Sequence, residues 1–488
     1  MSVWRIFPLR RWTSVTTLKA SEIPEQKPGT AMLSMNNSMP LRMTNMPQRA
    51  PVLLIVDYNL SRIGDVLHMR NYARQQWGAE TWLVRDNPQD HDRQISDRVI
   101  DADPLVPDFV SQVLRQLGED SGRVSAGMVF SDNAVASGAA LLEHLGLPVD
   151  DAKLALGAFD KLAYRIVERR DRSLLELWGI LLPDFQQIEC IDDVRDFALR
   201  QDRGFVIKPA CEGNNRGVVM VAPGDDCEQA FAEVALYLEG GVLAEAFISF
   251  TREYSYDGLG DLWFITEKVS ATGRYPVEIA QILPARLNQS ERQAIHRTGQ
   301  EVNRLIGQRI GPFHNEIKLS DAHCQTAVIE PNRRPGGMKI WTLAHAVHGV
   351  DLYAAWVDSV FSALLPQELP PATCSAATVM FGVPEDMTLD VIELGEIRPL
   401  VDDTLKLAAQ VLDLAEKDIA LLECAWIIGQ SRLIHATPRD NSDFVAQACV
   451  ALHDARIDIR DLVTVLREQW LKVLSRHLSA ARLFSVAS

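Results

Sequence analysis

The stretch HNEIKLSDAHCQTAVIEPNRRPGG, from His314 to Gly337, reads as two strands joined by a short turn at Asp321 to Gln325. Side chains of a strand alternate between faces, so His314, Glu316 and Lys318 share one side, as do Glu330, Asn332 and Arg334 on the return strand. Folding the hairpin about its turn sets Glu316 opposite Glu330 and His314 opposite Asn332. Directly opposed like charges destabilise a sheet. Two carboxylates, an amide oxygen and a nearby cation make sense on one face if divalent metal and phosphate occupy it. Magnesium takes one or two carboxylates and fills its remaining positions with phosphate and water. A solvated edge hairpin with ordinary charges is the plain alternative; the terminal Gly336-Gly337 and a loop upstream weigh against it.

That loop follows Phe205-Val-Ile-Lys-Pro209, a strand that delivers Lys208 to its end. Ala210 to Gly217 then carries Gly213, Asn214, Asn215, Arg216 and Gly217. Glycines let a backbone approach phosphate closely and turn N–H groups toward it. The loop is not a Walker P-loop, because GxxxxGK[ST] and a following helix are missing. Taken alone, a plain β-turn accounts for it equally well.

A chain of 488 residues suggests roughly two to four structural units. Its net charge of -16 argues against general nucleic-acid binding, which needs a basic surface. The longest apolar runs, such as Pro51 to Val56, are strand-sized, so no membrane span is expected. Seven cysteines without CxxC pairs fit reduced thiols in a cytoplasmic protein. Residues 1–50 are basic and methionine-rich and read as a disordered or mis-assigned extension, with a transit peptide as the alternative.

From Pro51 to Asp57 an apolar run reads as a buried parallel strand. Alternating strands and helices continue to about residue 150, which predicts an open parallel α/β domain over 51–150. Ser131 and Asp132 fall where a strand meets a helix; capping that helix is the preferred role over ligand binding. A second unit, 151–345, holds a helix from Ala158 to Arg170 with Lys161, strands Phe205 to Pro209, Val218 to Val221 and Val242 to Ile248, a helix from Ala230 to Leu238, and the hairpin. Residues 346–488 read as a further lobe, with strand-like Val379 to Val383 and Val391 to Leu394 and a helix from Asp461 to Leu474.

The order Asp160-Lys161, Lys208-Pro209 with its glycine loop, Glu245-Ala-Phe-Ile248, Glu253, Glu316 and Glu330-Pro-Asn-Arg-Arg-Pro-Gly-Gly337 resembles an ATP-grasp ligase over roughly residues 51 to 480. The pattern ExNxRxGG is the specific part. Within that superfamily the chain looks most like the L-amino acid ligases that make dipeptides. The resemblance implies an α/β fold, α+β in its central part, with an N-terminal open parallel domain followed by ATP-grasp central and C-terminal lobes.

The resemblance also implies roles. ATP with one or two Mg2+ ions, or Mn2+, would be bound. Lys161, Lys208, Gly213 and Asn214 would meet the phosphates or adenine, Glu245, Ala246, Phe247 and Ile248 would line the adenine pocket, and Glu253 would bind the ribose. Glu316, Glu330 and Asn332 would hold the metal, with Arg334, Glu316 and Glu330 as the catalytic set. Arg334 would stabilise the transferred phosphoryl group. His314, Arg286, Gly336 and Gly337 would face the substrate, although a salt bridge for Lys161, a structural hydrogen bond for His314 and a surface position for Arg286 stay open. The implied reaction joins two amino acids, or an amino acid and a related acid, through an acyl phosphate. A biotin-carboxylase-like enzyme and an inactive nucleotide-binding scaffold are the alternatives. The partners are small molecules, and a homodimer is compatible with the resemblance.

Overall fold

Val52–Tyr58 (β1) is buried along its whole length, as its apolar run requires of a central strand. The computed structural model describes residues 49–486 apart from 214–215, 272–274, 276, 390–393 and 429–430. The expected 1–50 extension therefore lies almost wholly outside the described residues, as do Asn214 and most of the strand expected at Val391 to Leu394. After β1 come α1 (Ile63–Trp77), β2 (Glu80–Arg85), β3 (Arg98–Asp101), α2 (Phe109–Leu117), β4 (Val124–Phe130) and α3 (Val135–His144). The four strands form a parallel sheet in the order β3-β2-β1-β4. Ligands of such sheets sit at the carboxyl ends of the strands, where Asp57, Ser131 and Asp132 lie.

The chain continues through α4 (Lys161–Arg170), β5 (Ile180–Leu181), β6 (Phe185–Ile188), α5 (Ile191–Ala198), β7 (Phe205–Pro209), β8 (Val219–Val221), α6 (Cys227–Val234) and β9 (Val242–Ala246). Strands β6, β9, β7 and β8 make an antiparallel sheet whose apolar face packs against α5 and α6 through Val194, Phe197, Ala230 and Val234. Asp160 caps α4 by accepting from the backbone N–H groups of Leu162 and Ala163 at 2.8 and 3.0 Å, which makes Lys161 the first helical residue.

Next come β10 (Arg252–Leu259), β11 (Leu262–Ser270), β12 (Glu278–Leu283), α7 (Gln289–Leu305), β13 (Pro312–Leu319), β14 (Thr326–Asn332), α8 (Ile340–His348), α9 (Leu352–Val360) and β15 (Ser375–Phe381). The chain ends with β16 (Met387–Leu389), α10 (Ile397–Val411), β17 (Ile419–Trp426), β18 (Arg432–Ile434), β19 (Ala446–Leu452) and α11 (Ile459–Val486). A nine-stranded sheet runs in the order β17-β19-β15-β12-β11-β10-β13-β14-β5. The division expected at 345/346 thus falls inside one sheet, because β15, β17 and β19 extend it. No helix among the described residues is long and apolar enough to cross a membrane, and all seven cysteines are free thiols.

Helix α7 covers one face of β10 and β13, where Ile295 packs with Tyr254, Tyr256, Phe313 and Ile317. It approaches closely because Gly299 has no side chain; a Cβ there would stand 2.1 Å from the Tyr256 ring. Strand alternation then turns Glu253, Ser255 and Asp257 to the opposite face, with His314, Glu316 and Lys318 beside them. We expect Gly299→Ala to lower stability by about 1–3 kcal/mol from overpacking, despite the better helix propensity of alanine. Exposed Gly64 in α1 meets nothing within 4 Å. Gly64→Ala should raise stability by about 0.5–1 kcal/mol. Urea denaturation of both variants checks the opposite signs.

Candidate active site

The hairpin forms with the expected register at its functional end: Glu316 pairs with Glu330 and His314 with Asn332. The register shifts at the next pair, where Ile317 meets Val328, so Ile329 is the extra residue of a bulge. Without that bulge Val328 and Glu330 would point the same way. With it, Val328 packs with Val302 and Leu305 of α7, while Glu330 reaches the polar face. The Arg165 guanidinium holds the bulge by donating to the carbonyls of Val328 and Ile329 at 2.7 and 3.4 Å.

Each carboxylate of the opposed pair has its own cation. Lys268 Nζ stands 2.6 Å from Glu316 and 2.6 Å from Glu278, and Lys161 Nζ stands 2.8 Å from Glu330. Lys161 also donates to the Glu212 carbonyl at 2.8 Å, which ties the glycine loop to α4. Lys208 pairs with Glu245 at 2.8 Å, and Arg165 bridges Glu245 and Glu168 at 2.8 and 2.7 Å. Burial opposes the charge on Glu245, but Arg165 and Lys208 outweigh it and bring its pKa down to about 2. Burial likewise opposes ionisation of Glu316, yet Lys268 and His314 hold it well below the usual carboxylate range.

His314 is enclosed. Its Nδ1 lies 2.6 Å from Asp257 and its Nε2 3.5 Å from Glu316. Both neighbours are acceptors, so both ring nitrogens carry protons. Asp257 also accepts from Ser255 at 2.5 Å and Thr266 at 2.9 Å. His314 therefore makes the structural bond left open by the sequence and braces Glu316. Gly336 leaves room for this pair rather than for substrate: a Cβ there would lie 2.8 Å from His314 Nδ1 and 2.7 Å from Ile340. At Gly337 a Cβ would meet nothing within 4 Å, so that position borders open space.

Arg334 is joined to the end of β4 in the N-terminal parallel sheet. Its Nε donates to both oxygens of Asp132 at 2.7 and 2.9 Å, and its terminal nitrogens donate to Pro335 O at 3.1 Å and Asn332 Oδ1 at 3.4 Å. The capping role expected for Ser131 and Asp132 is not observed. Neither makes a side-chain cap bond; Ser131 instead donates to Asp57, and Asp132 takes Arg334.

The remaining predicted residues divide. Glu253 lies on the polar face, paired with Lys318 at 3.0 Å and accepting from Ser270 at 2.7 Å. Gly213 sits in the loop beside Lys161, with its carbonyl accepting from Arg216 N–H. The backbone N–H groups of Ala246 and Phe247 are engaged by Asp184 and Gly204, so at those two positions the adenine-reading role loses its donors; Ile248 is buried. Arg286 is a surface residue. It pairs with Asp458 at 2.7 Å, its side chain is 76% exposed, and its N–H faces Glu267, on the opposite side of β11 from Lys268.

Among the described residues no three His, Cys, Asp or Glu side chains converge as a metal site. Two carboxylates and the Asn332 amide oxygen still fit magnesium, which draws its other ligands from phosphate and water. Lys268, Glu278, Asp257, Asp132, Arg165 and Arg62 were not singled out from the sequence as parts of the site. A period-two polar pattern marks two of them, in Glu253-x-Ser255-x-Asp257 and Thr266-x-Lys268-x-Ser270.

No protein-family model matches the chain, and neither does any curated protein. Solved structures do. An L-amino acid ligase from Bacillus licheniformis superposes with TM-score 0.66 at 18% identity, over 86% of this chain and 98% of that one. The N5-carboxyaminoimidazole synthetase of Staphylococcus aureus, complexed with ADP, gives 0.59 at 16% identity over 85% and 97%. A biotin carboxylase from Campylobacter jejuni gives 0.56 at 13% identity over 86% and 94%. The fold is that of the ATP-grasp ligases. The small antiparallel sheet carries Lys208, and the large sheet carries Glu316 and Glu330, with Arg334 two residues past the end of β14.

Burial disfavours a charged His314, but Asp257 and Glu316 outweigh it and raise its pKa to about 9. A pKa above the unfolded value of about 6.5 means the stabilisation is complete below pH 6.5 and is lost as pH rises through 9. The unfolding free-energy difference between wild type and His314→Gln should therefore shrink by about 3 kcal/mol from pH 6 to pH 9.5. Urea titrations at the two pH values measure it; a pH-independent difference would contradict the imidazolium.

Proposed function

We infer that the protein is an ATP-dependent carboxylate–amine ligase that joins two amino acids, or an amino acid and a related acid. The observation that carries this reading is the single polar face on which Lys161–Glu330, Lys268–Glu316 and Arg334 meet. The superposition on an L-amino acid ligase supports it as well.

A free carboxylate is a poor acyl donor, because oxide is a bad leaving group. In the first step its oxygen attacks the γ-phosphorus of ATP, the bond to the bridging oxygen breaks, and ADP leaves. In the second an amine attacks the acyl carbon, phosphate leaves, and the nitrogen loses a proton. Such chemistry is served by positioning and charge neutralisation. Glu316, Glu330 and Asn332 would hold magnesium, which supplies neutralisation of the phosphate oxygens when bound. Lys161 and Lys208 flank the glycine loop and place ammonium groups where phosphates enter. Arg334 keeps one N–H on each terminal nitrogen for the transferred group, the two-pronged geometry that suits phosphate oxygens. The open space at Gly337 offers room for the acid.

We expect Glu330→Gln and Arg334→Ala each to reduce turnover by about 10²–10³-fold, the scale for losing one preorganised charge, with the melting temperature little changed. Phosphate release from ATP and magnesium, scanned over amino acids singly and in pairs, checks it. Release only with a productive pair supports ligation, and near-wild-type turnover in either variant removes the site assignment.

A further inference from the structure

We propose that the N-terminal domain aims Arg334: Arg62 and Asp132 are positioning residues for the guanidinium that meets the transferred phosphoryl group. The inference rests on the role given to Arg334 above. Residues 333 to 339 leave the sheet, and Met338 and Lys339 adopt positive φ values of 47° and 57°. Carbonyls in such a segment have no ladder partners and need donors from elsewhere. Arg62, just ahead of α1 and only 7% exposed, provides them. Its Nη2 donates to Pro335 O at 3.0 Å and to Gly336 O, while its Nη1 donates to Tyr353 at 2.7 Å and Asp65 at 3.2 Å.

Pro335 O is thus shared. It accepts one N–H from Arg62 and one from Arg334. Two guanidinium groups converging on one oxygen repel each other, and an aspartate stands on each: Asp65 on Arg62 and Asp132 on Arg334. A guanidinium has five N–H groups. In Arg334, Asp132 takes the one on Nε, and Pro335 and Asn332 take one on each terminal nitrogen. The two left over are fixed in direction by these three anchors, two of which the N-terminal domain controls. Neither Arg62 nor Asp132 needs to touch substrate for this; each acts through Arg334.

Isothermal titration of Mg-ADP, with and without aluminium fluoride as a mimic of the phosphoryl group in flight, tests this on the full chain. Wild type should bind ADP at least tenfold more tightly with the fluoride, and Arg334→Ala should lose that gain. Asp132→Asn and Arg62→Met should each lose most of the gain while their affinity for ADP alone stays within threefold of wild type. If both keep the gain although Arg334→Ala loses it, the positioning role is wrong and the reading of Arg334 stands. If wild type shows no gain, or Arg334→Ala retains it, the reading of Arg334 fails and the positioning role falls with it. The Asp132 side chain is 27% exposed, against 8% for that of Arg62, so Asp132→Asn decides the matter even if Arg62→Met does not fold.

Discussion

Two carboxylates face each other across one hairpin, and the fold is arranged to give each its own cation. Both carboxylates are partly buried, and the cation beside each offsets the cost of drawing its charge out of water. Lys161 comes to Glu330 from the first turn of α4, a helix capped by the preceding aspartate. Lys268 reaches Glu316 from two strands away, across β10. That reach needs a small residue between them, and Ser255, which pairs with Thr266 on one side and Glu316 on the other, is that residue. The order β11-β10-β13-β14 therefore sets out the polar face as a cation, a small hydroxyl and two carboxylates: Lys268, Ser255, Glu316, Glu330.

A buried guanidinium ties the two sheets together. Arg165 binds Glu245 of the small sheet and the Val328 and Ile329 carbonyls of the large one. It thereby fixes the bulge that turns Glu330 to the polar face and the carboxylate that fixes Lys208. One fully buried guanidinium links the small sheet and the large one. With Glu168 and Glu245 both on it, its charge is compensated, which a buried arginine requires.

The sequence made some of this legible and hid the rest for identifiable reasons. Apolar runs such as Val52 to Val56 marked their strands, because a strand buried on both faces has no room for polar groups. The pairing of Glu316 with Glu330 followed from alternation and a turn. The bulge did not, since nothing local in Ala327-Val-Ile-Glu330 says which residue is extra; the packing of Val328 under α7 decides it. Strands β10 to β12 escaped because their polar residues point to a face paired internally, so Glu253, Ser255 and Asp257 resemble a solvated strand. Arg62 carries no local mark, as its partners Pro335 and Tyr353 lie 273 and 291 residues away along the chain. Gly336 read as room for substrate because His314 and Ile340, which fill that room, approach only in the folded chain.

Ser131 and Asp132 show why the local reading failed where it did. A serine or aspartate ahead of a helix normally caps it, a bond worth about 1 kcal/mol. Here the short 3₁₀ turn at Asp132–Ala134 and α3 behind it begin without a side-chain cap, while Ser131 serves Asp57 and Asp132 serves Arg334. Local stability is forgone at the carboxyl end of β4, where a parallel sheet presents its ligand edge. Departures from local rules concentrate at functional sites. What sets Asp132 apart from an ordinary helix start is its partner: both carboxylate oxygens go to a guanidinium 202 residues away along the chain.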